Sequence, residues 1–245
     1  MVNILNMSNK KICIKLCLLF LLLSCEEEIK LSFSEITPTT VNNTIVEVNI
    51  PEAIGIDETA DSINTKIHKH VIESLHIGNT GEISSTSIEE SVALFNEEFK
   101  TFKLDFPETN EIWEAQIDGD VMFLSSEIVS IAITTYKNTG GAHGNLNISI
   151  LNFDAQSGKK ISNEDLFTDF KQFQNIAQTQ FDRKFKEQDL FFENSPFQLS
   201  NNIGYTQEGI LLLYNTYEIA PYSSGTIELT IPFNLLKSVL AFNRF

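Results

Sequence analysis

Two runs of alternating apolar and polar residues flank a glycine-rich loop, and no other feature of the chain narrows its folds so far. Val129-Ser130-Ile131-Ala132-Ile133-Thr134 precedes the loop, and Leu146-Asn147-Ile148-Ser149-Ile150 follows it. A period of two is the mark of a strand with one buried face. Between the runs stands Tyr136-Lys137-Asn138-Thr139-Gly140-Gly141-Ala142-His143-Gly144. Glycine accepts positive φ and close backbone approach, so adjacent glycines between strands predict a tight, specially shaped connection. A generic loop is built as well from Ser, Asn or Lys. Two readings of His143 follow. It is a turn residue bonded locally, or it is the polar contact on the rim of a binding cleft.

The remaining pattern is mixed. Thr44 to Ile50 alternates up to Pro51 and reads as a strand. Ile63, Ile67, Val71 and Leu75 recur every fourth residue and predict a helix, capped by Asp57 or Thr59 and ended near Gly78. Ile88, Val92, Phe95, Phe99 and Phe102 predict a second, with Ser87 and Glu90 as a capping box. Ile112 to Ser126 reads as a hairpin turning at Asp118-Gly119. The acidic residues there lack the ligand count of a calcium loop. Asn163 is placed to cap a short helix through Phe167. Phe170, Phe173, Ala177, Phe181 and Phe185 form a further helical stripe of core residues. Ile210 to Tyr214 and Thr226 to Ile231 are strands, and Leu235 to Leu240 a short closing helix.

The N-terminus carries an export pattern. Lys10, Lys11 and Lys15 flank an apolar run, Ile12 to Leu23, too short to span a bilayer but of signal-peptide length. It ends Leu22-Leu23-Ser24-Cys25, which reads as a lipobox with Cys25 as the lipidated residue. Cys13 and Cys17 leave with the leader, so the mature domain has no thiol for disulfides or thiolate metal sites. Glu26-Glu27-Glu28 then starts a solvated linker or a surface-export signal, and Ile29 to Asn43 reads as a tether. The expected location is the cell envelope, as an outer-membrane lipoprotein, periplasmic or surface-exposed, with membrane contact through the lipid alone. The formal charge is −16, and loss of three leader lysines makes it more negative. That disfavours nucleic acid and anionic lipid, and it steers cationic partners toward the chain.

No catalytic set stands out. Gly-x-Ser-x-Gly, His-Glu-x-x-His and Cys/His arrangements are absent from the sequence. His68, His70 and His76 lack the spacing of three or four that puts a metal pair on one helix face. The expectation is therefore no catalytic residue, no metal and no cofactor.

The glycine loop also resembles a known family. Tyr136 to Gly144 fits the Tyr-x-x-x-Gly-Gly-Ala-His-Gly pattern of the extracellular domain of the anti-sigma factor RsiV, a domain that also precedes the catalytic domain of the peptidoglycan deacetylase PdaC. Asn152-Phe153-Asp154, Gly158-Lys159 and Asp165-Leu166-Phe167 continue the resemblance. A second block, Tyr214-Asn215-Thr216-Tyr217-Glu218-Ile219-Ala220-Pro221-Tyr222, is similar to the family's Tyr-x-x-Tyr-Glu-Ile-Ala-Pro-Tyr signature, and Ile231-Pro232-Phe233 follows it. The resemblance covers about residues 42 to 245. It implies an α+β fold, an antiparallel or mixed sheet with helices packed on it, as two small subdomains in one unit. Their bounds are 44–125 (PdaC-type) and 126–245 (RsiV-like), after a leader at 1–25 and a tether at 26–43. It implies binding rather than catalysis, because the deacetylase domain has no counterpart after the last motif. The implied partners are lysozyme, another cationic protein, or peptidoglycan. Tyr136, Gly140, Gly141, His143, Tyr217, Glu218 and Tyr222 are the candidate contacts, with Glu218 accepting a bond from His143 if the two loops meet. A wall-glycan enzyme using His143, and a purely structural lipoprotein, are the alternatives.

Overall fold

The hairpin anticipated around the glycine loop is the centre of a six-stranded sheet. The computed structural model describes residues 31–79, 81, 83–185, 191–192 and 197–243. The leader and Cys25 lie outside the described residues. In chain order the sheet elements are β1 (Ser32–Ile36), β2 (Val46–Ile54), α1 (Asp57–Leu75), α2 (Ile88–Asp105), β3 (Glu114–Leu124), β4 (Ile128–Asn138), β5 (Asn145–Asp154) and β6 (Lys160–Ile161). The spatial order is β1 to β6 in sequence. Only β2 and β3 run parallel, and a parallel pair needs a crossover, here supplied by both helices. A smaller antiparallel sheet follows: α3 (Phe170–Phe185), β7 (Asn202–Tyr205), β8 (Gly209–Tyr214) and β9 (Ile227–Pro232). The fold is α+β.

The stripes build the cores as the spacing predicts. Ile63, Ile67 and Val71 of α1 and Val92 and Phe95 of α2 are fully or almost fully buried with Val48, Ile117 and Ile131 of the sheet. Ser87 accepts the amide of Glu90, the expected cap of α2. Helix α1 has no side-chain cap. Ile56 occupies that position, and the Thr59 hydroxyl donates instead to the Gln156 carbonyl. In the second core Phe173 is fully buried and stacks on Phe167, ring centres 3.6 Å apart.

Several elements differ from expectation. Ser32–Ile36 is an edge strand on β2 inside the segment read as a tether. Strand β2 runs through Pro51, beyond the last residue it pairs with β3. No hairpin turns at Asp118-Gly119. Strand β3 passes straight through them and the chain reverses after Leu124. Gly119 serves packing, since a Cβ there would lie 2.5 Å from Pro51 Cδ and 2.9 Å from Ile133 Cδ1. Asn163 does not cap its 3₁₀ turn, and its amide reaches the Asn201 carbonyl. The closing segment forms a 3₁₀ turn, Phe233–Leu235, in place of a helix. The β3–β4 ladder spans residue 125, so the six-stranded sheet draws on both sides of that boundary.

A bulge between Val121 and Phe123 moves β3 from one core to the other. Val121 packs with the helices, whereas Phe123 joins α3 and the small sheet. Strand β7 meets the back of β4 and β5 through a buried polar relay. Tyr205 N–H donates to Ser130 Oγ (3.0 Å), the Ser130 hydroxyl to Asn152 Oδ1 (2.6 Å), and Asn152 Nδ2 to the Ile203 carbonyl (2.7 Å). The free edge of β5 is closed by amides. Asn202 Oδ1 accepts from Ile150 N–H at 3.0 Å, and Asn215 pairs with both backbone groups of Ile148 at 2.8 Å. An edge so covered offers no template for another strand.

Two tyrosines in the second core set an alkaline limit. Burial pushes the phenols of Tyr205 and Tyr214 well above their ordinary range, with Glu127 and Glu218 adding to it respectively. Unfolded phenols ionise near pH 10, while the folded ones keep their protons. Below that pH these groups add no slope. Above it the unfolded state binds fewer protons and stability falls as pH rises. Urea unfolding between about pH 9 and pH 11 should show this loss, and Tyr205→Phe should reduce the slope.

Candidate functional site

The two sequence blocks meet. The β4–β5 connection carries Gly140 and Gly141 at φ 97° and 101°, the left-handed backbone that required glycine. The tight turn exposes His143, whose Nδ1 lies 2.9 Å from the Gly144 carbonyl. The β8–β9 connection brings Tyr222 to the same place at the start of a 3₁₀ turn. The imidazole and the Tyr222 ring stack at 4.1 Å with 21° between planes. The Tyr222 hydroxyl donates to the Gly144 carbonyl at 3.4 Å. Tyr217 lies alongside, ring centre 5.6 Å from that of Tyr222. It is 57% exposed and holds φ at 67°, the only positive φ outside glycine among the described residues. Such a backbone costs on the order of 1 kcal/mol and persists where surroundings hold it.

Tyr136 supports the loop from the sheet. A Cβ on Gly144 would collide with the Tyr136 ring, so the phenol lies directly against the loop backbone. Partial burial, the Glu114 carboxylate to which it bonds, and Tyr222 nearby raise its pKa above the ordinary phenol range. Glu111 lies beside Gly140, 3.5 Å from a Cβ built there. The result is an aromatic surface of His143, Tyr217 and Tyr222 over Tyr136, edged by Glu111 and Glu114.

Glu218 does not join His143. Its two carboxylate oxygens accept the amides of Asn201 (3.0 Å) and Asn215 (2.8 Å), fixing the loop from below. The contact between the blocks is aromatic stacking on Tyr222, because the carboxylate serves backbone donors first. Glu111 and Glu114 carry no motif that marks them in the sequence. Their place is set by register, with Glu114 opposite Asn138 at the loop's root. The three histidines of this region do not converge: His68 of α1 bonds Glu52 at 2.9 Å, His76 just after α1 bonds the Asn79 carbonyl at 2.9 Å, and the buried Nε2 of His70 has no hydrogen-bond partner among the described residues. Among the described residues no group of three or more His, Cys, Asp or Glu is placed to hold a metal.

Beside the platform runs a groove of about 650 Å³. Its walls are the β1–β2 connection, from Thr37 to Ile45, and the first residues of β2 and β3. Glu47, Glu114 and Trp113 are among its lining residues.

Two known families match separate regions of the chain. The family described as "Deacetylase PdaC" matches residues 39–146, and the family described as "Protein of unknown function (DUF3298)" matches residues 164–234. No curated protein matches the chain. Among solved structures, a DUF3298 family member from Bacteroides fragilis is similar at a TM-score of 0.64 and 20% identity, over 87% of this chain and 94% of that one. A DUF3298 family protein from Pseudomonas aeruginosa is similar at 0.59 and 20% identity, with the same coverage of 87% and 94%. At that identity the likeness is one of fold. The chain thus pairs a region that matches the PdaC family with a region that matches the DUF3298 family, consistent with a PdaC/RsiV-like domain protein.

Proposed function

We propose that this protein is a lipid-anchored binding protein of the cell envelope whose partner is a cationic protein such as lysozyme. The observation that carries the reading is the aromatic surface of exposed His143 and Tyr217 on half-buried Tyr222, edged by Glu111 and Glu114. Tyrosines give large rigid contact area with a polar tip, and aromatic faces beside carboxylates suit guanidinium and ammonium groups. The formal charge of −16 speeds encounter with a basic partner. The basic leader, its short apolar run and the Leu22-Leu23-Ser24-Cys25 end support export and acylation at Cys25. The site is held by two loops fixed to separate sheets, so little ordering is left for binding.

The test uses the full-length chain in mild detergent with lysozyme over a salt series. Binding should be tight at low ionic strength and weaken steeply with salt. Tyr222→Ala should lower affinity by about 2 kcal/mol, as loss of a central aromatic anchor does. No binding at low salt removes lysozyme as partner. Binding of soluble peptidoglycan fragments in its place turns the reading toward glycan.

A further inference from the structure

The hydrogen bonds of the platform fix where its protons sit. His143 Nδ1 lies 2.9 Å from the Gly144 carbonyl oxygen, and the Tyr222 hydroxyl lies 3.4 Å from the same atom. A carbonyl only accepts, so both groups donate to it. A neutral imidazole carries a single N–H. That proton is on Nδ1, which leaves Nε2, across the exposed ring, with a lone pair and no partner among the described residues. The Tyr222 oxygen has likewise spent its proton and keeps lone pairs. The stack at 4.1 Å holds both rings in this arrangement. At the edge, Glu114 accepts from Tyr136, and the Glu111 carboxylate beside Gly140 is a further acceptor. The pair at the centre of the platform thus turns its donors inward onto one backbone atom and presents acceptors to whatever binds.

We propose that the platform takes an arginine side chain of the partner, a guanidinium N–H donating to His143 Nε2 while Glu111 and Glu114 supply the opposite charge. This rests on the platform reading, to which it adds the contacting group and the protonation state that binding requires. Guanidinium has five N–H donors and no acceptor, and its plane suits aromatic surroundings better than an ammonium does. A sugar hydroxyl brings lone pairs of its own. Protonation of His143 places a proton on Nε2 and a positive charge beside the ligand, and it leaves the bond to Gly144 intact. The titratable groups around the ring are Tyr217 and Tyr222 of the β8–β9 connection, Tyr136 of β4, and Glu111 and Glu114. Lys137 of β4 is turned to the other face, onto the Ser74 and His76 carbonyls. Phenols and carboxylates ordinarily titrate outside the window from about pH 5 to 8, and imidazoles within it. Affinity therefore falls as pH falls through that window.

The full-length chain in mild detergent is titrated with the amides of N-acetyl-arginine, N-acetyl-lysine and N-acetyl-citrulline. Proton–nitrogen spectra of the imidazoles report which ring nitrogen holds the proton, and the backbone amides of the glycine loop report affinity. The expected free state has Nε2 bare, and arginine amide shifts that nitrogen saturably at about pH 8. At about pH 5 its affinity should be about tenfold weaker, the scale of one hydrogen bond to a charged group. His143→Phe keeps a ring for Tyr222 and has no acceptor. It should lower affinity about tenfold at the higher pH and abolish the pH dependence, whereas His76→Gln leaves both unchanged. A neutral ring with its proton on Nε2 overturns the inference. So does equal binding of the lysine or citrulline amide, or equal affinity at both pH values. Lysozyme binding that is lost with Tyr222→Ala but unaffected by His143→Phe removes the arginine contact and leaves the platform standing. Arginine binding that depends on His143, in a chain that ignores lysozyme, keeps the contact and removes that partner.

Discussion

Asn152→Ala is expected to destabilise the protein by about 3 kcal/mol, a loss on the scale of a large truncation in an apolar core. Asn152 is 1% exposed and Ser130 fully buried. Alanine leaves the Ile203 carbonyl without its donor and the Ser130 hydroxyl without its acceptor, and it opens a cavity between the sheets. Buried groups so orphaned lose their full solvation. Thermal unfolding should drop by about 6–12 °C. Ser130→Ala should be costly too, because Tyr205 N–H loses its acceptor. The double variant should cost less than the two losses combined, since both remove one relay. A shift under about 1 °C in Asn152→Ala would show that the relay contributes little and that apolar packing alone joins the sheets.

Gly144→Ala should leave the fold intact and dismantle the platform. The new Cβ meets the far end of the Tyr136 side chain, which yields more easily than backbone does. Displacing that ring breaks its bond to Glu114 and withdraws the support beneath His143 and Tyr222. Two measurements follow. Ultraviolet titration should show one phenol moving down toward the ordinary range, with Tyr136→Phe assigning it. Affinity for lysozyme should fall about tenfold or more, the scale of losing a central contact. An unchanged phenol titration would mean that the ring had not moved.

Periodicity reported best where one face of an element is buried. The stripes of α1, α2 and α3 and the alternation of β4 and β5 were legible because burial dictates them directly. The cap of α2 was legible because Ser87 acts on its own helix, whereas Thr59 bonds a carbonyl ninety-seven residues away. Asp118-Gly119 misled for the same reason. A turn signal describes local preference, and Gly119 was chosen for Pro51 and Ile133, neighbours brought by tertiary packing. Strand β7 is short and fully buried, so it shows no alternation to read. Gly140, Gly141, His143, Tyr217 and Tyr222 are unusual in the sequence alone, whereas the stacking of His143 on Tyr222 exists only in the folded chain. The acid edge and groove depend on the register of three strands, which single-chain patterns do not state.

The direction in which the chain enters its sheet decides where the loop is displayed. Ser32 lies opposite Ile54, at one end of β2, whereas Asn138 and Asn145 lie at the other end of the long central strands. An eleven-residue strand such as β4 spans about 36 Å. Ser32, where the described chain enters the sheet, and the pair His143 and Tyr222 therefore lie toward opposite ends of the central strands. Under the proposed acylation of Cys25, that arrangement would turn the two rings away from the bilayer and toward what arrives from the surrounding medium.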